Sequence, residues 1–147
     1  MKHLISVPPG VIPHFHRISG LPEKEWFVAA DPAGKKVGSG GGTAHILSEL
    51  WKAENGGEFS RWLSAEKRAI IHAGGQSRRL PAYAPAGKSL LPMPVFRWSR
   101  GQELNQRLIH LQSGLFDDIL KSASGHYPFF SKLQHKNAKS IIVNLLL

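Results

Sequence analysis

The chain has 147 residues, 41% hydrophobic and 20% charged, with no cysteine and a formal net charge of +9. One domain of that length buries roughly two thirds of its unfolded surface. The composition excludes a disulfide framework, a thiolate metal site and a membrane span, which needs about 20 apolar residues in a row.

The opening residues, MKHLISVPPGVIPHFH, carry one lysine and a brief apolar run from Leu4 to Val7, interrupted by Ser6 and stopped by Pro8 and Pro9. They read as no export signal, and the expected compartment is the cytoplasm. His14 and His16 would share one side of a strand, but no third ligand is near them in sequence, so a structural or surface role is expected. EWFVAAD, residues 25 to 31, reads as a buried strand ended by Asp31 and Pro32. A glycine-rich loop follows, and Thr43 is placed to cap a helix through AHILSELWKAE with Ala44, Leu47, Leu50 and Trp51 on one face.

Past a polar break from Glu54 to Ser60, Ala69 to Ala73 predicts a second strand that runs directly into Gly74 and Gly75. A longer helix is predicted from Gln102 to Ser122, where Leu104, Leu108, Leu111, Leu115, Ile119 and Leu120 recur at three- and four-residue steps. Gly114 weakens that helix by about 1 kcal/mol relative to alanine. Strand, loop and helix in repeated succession predict an α/β sheet with crossover helices. The four tryptophans, Trp26, Trp51, Trp62 and Trp98, are too dispersed for a stacking platform and are expected in the core or at interfaces.

Charge is unevenly placed along this layout. From Lys67 to Arg107 there are eight basic residues against one acid, Glu103, a local excess of +7. Such an excess favours an anionic partner, either a phosphorylated small molecule or a nucleic acid. Within it, HAGGQSRRLPAYAPAGKSLLPMP combines paired glycines, whose main chain can aim N–H groups at a ligand, with Arg78 and Arg79, whose planar forks suit phosphate oxygens. Prolines 81, 85, 92 and 94 stiffen the segment that carries Lys88. AYAPAGKS is no P-loop: Ala82 stands where its first glycine belongs, Pro85 removes a cradle N–H, and Pro92 and Pro94 would break the helix that must follow. GSGGGT, with Gly40, Gly41, Gly42 and Thr43, lies between a predicted strand and a predicted helix, where backbone amides can accept an anion, although such runs also serve as linkers.

EWFVAADPAGKKVGSGGGTAHIL followed by LSAEKRAIIHAGGQSRRLPAYAPAGKSLLPMPVFRWSRGQ resembles the N-terminal region of fucose-1-phosphate guanylyltransferases, the GDP-fucose pyrophosphorylases, and most of all the form fused to an L-fucokinase. The resemblance covers residues 1 to 122 as part of the guanylyltransferase domain and leaves 123 to 147 as a divergent tail. It implies a Rossmann-like nucleotidyltransferase core that makes GDP-fucose and pyrophosphate from GTP and fucose 1-phosphate with Mg²⁺. It also implies that Ala73, Gly74 and Gly75, with Gln76, Ser77 and Arg78, approach the nucleotide, that Arg79 contacts the departing phosphates, and that Lys88 is the assisting lysine. Ser77 and Arg78 depart from the small Gly-Thr pair of the wider group of sugar-nucleotide pyrophosphorylases.

No residue is assigned to the metal, because the expected aspartate-bearing segment is missing. Beyond Asp118 the chain has no acid, and the only aspartates are Asp31, Asp117 and Asp118, the last two expected to face solvent from the helix. The expectation is therefore a truncated or frameshifted piece, with an incomplete core, that releases little pyrophosphate alone. The alternative, supported by charge only, is a basic module that binds phosphates or nucleic acid without catalysis. A third possibility is a piece that does not fold stably.

Overall fold

The structure, a computed structural model, describes residues 1–35, 37–74, 88–93, 96–97, 101–102, 106–124 and 144–146. In chain order its elements are β1 (Lys2–Ser6), α1 (Phe15–Ser19), β2 (Trp26–Ala29), α2 (Gly38–Ala53), α3 (Phe59–Ala65), β3 (Arg68–His72), β4 (Phe96–Arg97), β5 (Gly101–Gln102), α4 (Leu108–Ser124) and β6 (Asn144–Leu146). Single 3-10 segments occupy Pro9–His14 and Lys88–Leu90.

The predicted α/β architecture holds, and two of the four strands of its main sheet lie at the two predicted runs. The short apolar run near the start of the chain is β1, an inner strand of a four-stranded parallel sheet ordered β2-β1-β3-β6. Alternation along the strands sorts their side chains between two cores. Ile5, Trp26 and Ile71 pack with Phe15 of α1, Leu90 and Ile109 of α4. On the other face Leu4 and Ile70 pack with Ile46, Leu47 and Leu50 of α2 and with Trp62 of α3. Both faces of β1 and β3 are thus covered, which is why Leu4, Ile5, Ile70 and Ile71 are all fully buried.

Helix α2 starts five residues before the predicted cap. Gly38 has a φ of 66°, in the left-handed region, and turns the chain into the helix, so Thr43 lies inside the second turn and is no cap. The buried stripe is Ile46, Leu47 and Leu50; Ala44, expected on that stripe, is exposed and Trp51 is half-buried. Helix α3 begins within the predicted polar break. Glu58 caps it by accepting from the N–H groups of Ser60 at 2.9 Å and Arg61 at 2.8 Å, which holds the Glu58 carboxyl below the usual carboxylate range.

Helix α4 begins at Leu108 rather than Gln102, because Gln102 lies in β5 and Arg107 is held in a bridge to Pro92. Met93 donates its N–H to the carbonyl of Gln106, Leu108 donates to the carbonyl of Leu91, and Pro92 bridges Arg107. The imidazole of His110 then accepts the Arg107 N–H at 2.8 Å, satisfying a donor at the helix start. His14 and His16 do not share a strand: His14 ends the first 3-10 segment, and His16 sits in α1 with its Nδ1 2.9 Å from the Leu21 carbonyl. Trp26 and Trp62 are buried as expected, and Trp98 lies outside the described residues. Near the end of the chain, Asn144–Leu146 forms β6, paired with β3.

Candidate functional site

From β1 the chain crosses to β2 on one side and then returns to β3 on the other side of β1. In open α/β sheets that reversal leaves a crevice outside the carboxyl ends of the two diverging strands, the usual place for a ligand. Here those ends are Ser6 and His72, which are register partners. The HAGG block continues from His72: Ala73 donates its N–H to the Ser6 carbonyl at 2.8 Å, which fixes the path of the chain into Gly74.

The GSGGGT block arrives at the same place from α2. Gly42 is buried so closely against the strand ends that a Cβ built on it would stand 3.2 Å from His72 Cε1 and 3.3 Å from Asp31 Oδ1. A Cβ on Gly74 would stand 3.1 Å from Ser6 Oγ and 3.7 Å from Asp31 Oδ2. Two side-chain bonds frame these glycines. Ser6 Oγ donates to Asp31 Oδ1 at 3.0 Å, and Thr43 Oγ1 lies 3.0 Å from His72 Nε2. The two glycine blocks, separated by some thirty residues of sequence, therefore meet around Ser6, Asp31 and His72.

The anticipated site residues divide accordingly. Gly42, Thr43, Ala73 and Gly74 are brought together; Gly40 lies in the first turn of α2 with open space beside it, and Gly41 packs its backbone against Val37. Lys88 starts a 3-10 turn anchored by buried Ser89 and Leu90, and Leu90 belongs to the core on the sheet face opposite α2. After Lys88–Leu90 the chain passes into an extended bridge at Pro92. Gly75, Gln76, Ser77, Arg78 and Arg79 lie outside the described residues. Of the basic cluster, Arg68 is not available to an anion. It is buried, its guanidinium carbon stands 3.8 Å from the Trp62 ring centre, and its Nη1 donates to the carbonyls of Leu63 and Glu66.

Ser6 and His72 were not singled out from sequence, and Asp31 only as a strand stop. The available signal was polar residues closing apolar strands beside a glycine block. Among the described residues no three His, Asp or Glu side chains gather as a metal cage. A Mg²⁺ ion carried by a phosphate ligand needs only one or two protein carboxylates. Asp31, exposed and with one oxygen accepting from Ser6, has the donor chemistry of one.

Known proteins resemble parts of this sequence. The chain is 49% identical over 124 residues to L-fucokinase/L-fucose-1-P guanylyltransferase of Bacteroides fragilis, an alignment that covers 84% of this chain and 13% of that protein. It is 33% identical over 79 residues to the bifunctional fucokinase/GDP-fucose pyrophosphorylase of Arabidopsis thaliana, covering 44% of this chain and 8% of the relative. With the human fucose-1-phosphate guanylyltransferase it shares 37% identity over 71 residues, 48% of this chain and 11% of the relative. No family model matches the chain, and no solved structure matches it significantly. The matched segment is thus a small share of each relative, and over that segment the chain is similar to the fucose-1-phosphate guanylyltransferases.

Proposed function

We propose that this chain forms the nucleotide-binding end of a fucose-1-phosphate guanylyltransferase with a Rossmann-like core. GTP would lie across the crevice at the ends of β1 and β3, with its phosphates against the amides of the GSGGGT and HAGG blocks. The observation that carries this reading is the meeting of those two blocks at the strand-order reversal, with glycine at the two closest approaches. The relatives' names supply the reaction class.

In that reaction an oxygen of fucose 1-phosphate bonds to the α-phosphorus of GTP while the bond from the α-phosphorus to the bridging oxygen breaks, and pyrophosphate leaves. Little covalent work falls to the protein, so catalysis is positioning and neutralisation of charge. Arg79 takes the departing phosphates, and Lys88, held by its buried neighbours, adds a point charge. Gly40, Gly41, Gly42, Thr43, Ala73, Gly74, Gly75, Gln76, Ser77 and Arg78 line the nucleotide. Mg²⁺ would neutralise triphosphate charge when bound, with Asp31 as a protein oxygen for it. The reaction is assigned to the cytoplasm, and the basic excess serves a nucleotide rather than a nucleic acid.

Calorimetric titration with GTP tests the reading. Heat of binding is expected for the wild-type chain and its loss for the Arg79→Ala, Lys88→Ala double variant. Equal heats for the two would overturn it.

A further inference from the structure

The crevice holds a side-chain bond that joins the two glycine blocks directly, and we propose that His72 is a positioning residue which sets the GSGGGT end of α2 against the HAGG loop. This role rests on the nucleotide reading above and adds to it a residue outside the glycine motifs.

His72 is well placed to act as a reference point. Its backbone is gripped on both sides, opposite Ser6 in β1 and Leu146 in β6. Only Ala73 separates it from Gly74, and the Ala73 N–H is itself tied to the Ser6 carbonyl. The position of the loop's first glycine therefore follows from the position of His72. Its side chain leaves the strand on the α2 face, two residues beyond buried Ile70, and meets Thr43 at 3.0 Å. Gly42 lies against the same ring, with 3.2 Å from a built Cβ to Cε1 and 3.4 Å to Nδ1.

A hydrogen bond with a van der Waals stop beside it fixes both the approach and the sliding of α2 relative to β3. Two anion-binding segments that must hold one triphosphate need that relative position preset, because otherwise binding must supply the ordering. Losing the bond should consequently weaken GTP binding more than it weakens the fold. The imidazole is half-buried at a strand end, outside both apolar clusters, so its removal takes little from either core.

The test is a double-variant cycle on the whole chain, read by GTP titration and by thermal midpoint in parallel. His72→Leu and Thr43→Val are each expected to weaken GTP binding about tenfold, the scale of one lost hydrogen bond, with midpoints close to wild type. The double variant should bind no worse than either single one, since both remove the same bond. His72→Gln, whose amide can occupy the place of Nε2, should stay within about twofold of wild type. If His72→Leu does not fold, His72→Gln decides the matter beside Thr43→Val, with wild-type affinity expected in the first and the tenfold loss in the second.

Wild-type GTP affinity in the single variants overturns the role while leaving the nucleotide reading intact. Additive losses in the double variant, or losses that follow the midpoint across the series, also overturn it. Absence of GTP binding by the wild type removes the nucleotide reading and the role together.

Discussion

Two glycines of one block, Gly40 and Gly42, face different surroundings in the first turns of α2, and that difference is measurable. Beside Gly40 nothing lies within 4 Å of a built Cβ, so Gly40→Ala should gain helix propensity and stabilise by about 0.5 kcal/mol. At Gly42 the same methyl would press on the His72 ring, which Thr43 holds, and on Asp31, which Ser6 holds. Overpacking of about 1–3 kcal/mol then outweighs the propensity gain, and Gly42→Ala should destabilise by about 1 kcal/mol. Denaturant titration should rank Gly40→Ala above wild type and Gly42→Ala below it; the reverse order would mean that His72 and Asp31 yield freely. From sequence the glycine block was legible as a place where backbone amides can accept an anion; that one of its glycines packs against the strand ends was not, because His72 and Asp31 come to it from 30 and 11 residues away along the chain.

Among the elements, β2, β3 and most of α2 were legible because their apolar spacing continues uninterrupted to a turn residue. The starts of both long helices were not. Local pattern assigned Thr43 to a cap and Gln102 to a first turn, whereas the starts are set by a left-handed glycine at 38 and by backbone bonds from Leu91 and Met93 to Leu108 and Gln106. β1 was missed for a related reason: three apolar residues with a serine among them carry little signal until two neighbours pair with them. Gly114 lies within α4. It is exposed, has an ordinary helical φ, and has nothing within 4 Å of a built Cβ. Gly114→Ala should therefore raise stability by about 1 kcal/mol, a few degrees in thermal midpoint for a domain of this length. An unchanged or lower midpoint would show that α4 is not helical at that position in solution.

At the scale of the whole molecule, one buried titratable group connects the sheet to α4. His3, on β1, stacks on Trp26 of β2 with ring centres 4.5 Å apart and planes 11° from parallel, and its Nε2 stands 3.9 Å from Asp117 of α4. Both ring nitrogens are buried without a hydrogen-bond partner among the described residues. Burial disfavours the imidazolium more than Asp117 and Glu25 favour it, and the N-terminal ammonium adds to the disfavour, so the His3 pKa lies below its ordinary 6.5. Between 6.5 and that lowered value the unfolded chain binds more protons than the folded one. Stability is therefore whole above pH 6.5 and falls as pH drops through this window, with a limiting slope of about 1.4 kcal/mol per pH unit. His3→Phe, which keeps a ring on Trp26 and has no proton to bind, should flatten the slope of denaturant stability between about pH 5 and 7. Asp117→Asn should lower the His3 pKa further and extend the loss to lower pH, since it removes an attraction that favours the charged ring. The same slope in wild type and His3→Phe would place the proton linkage elsewhere and leave the His3–Trp26 stack as packing alone.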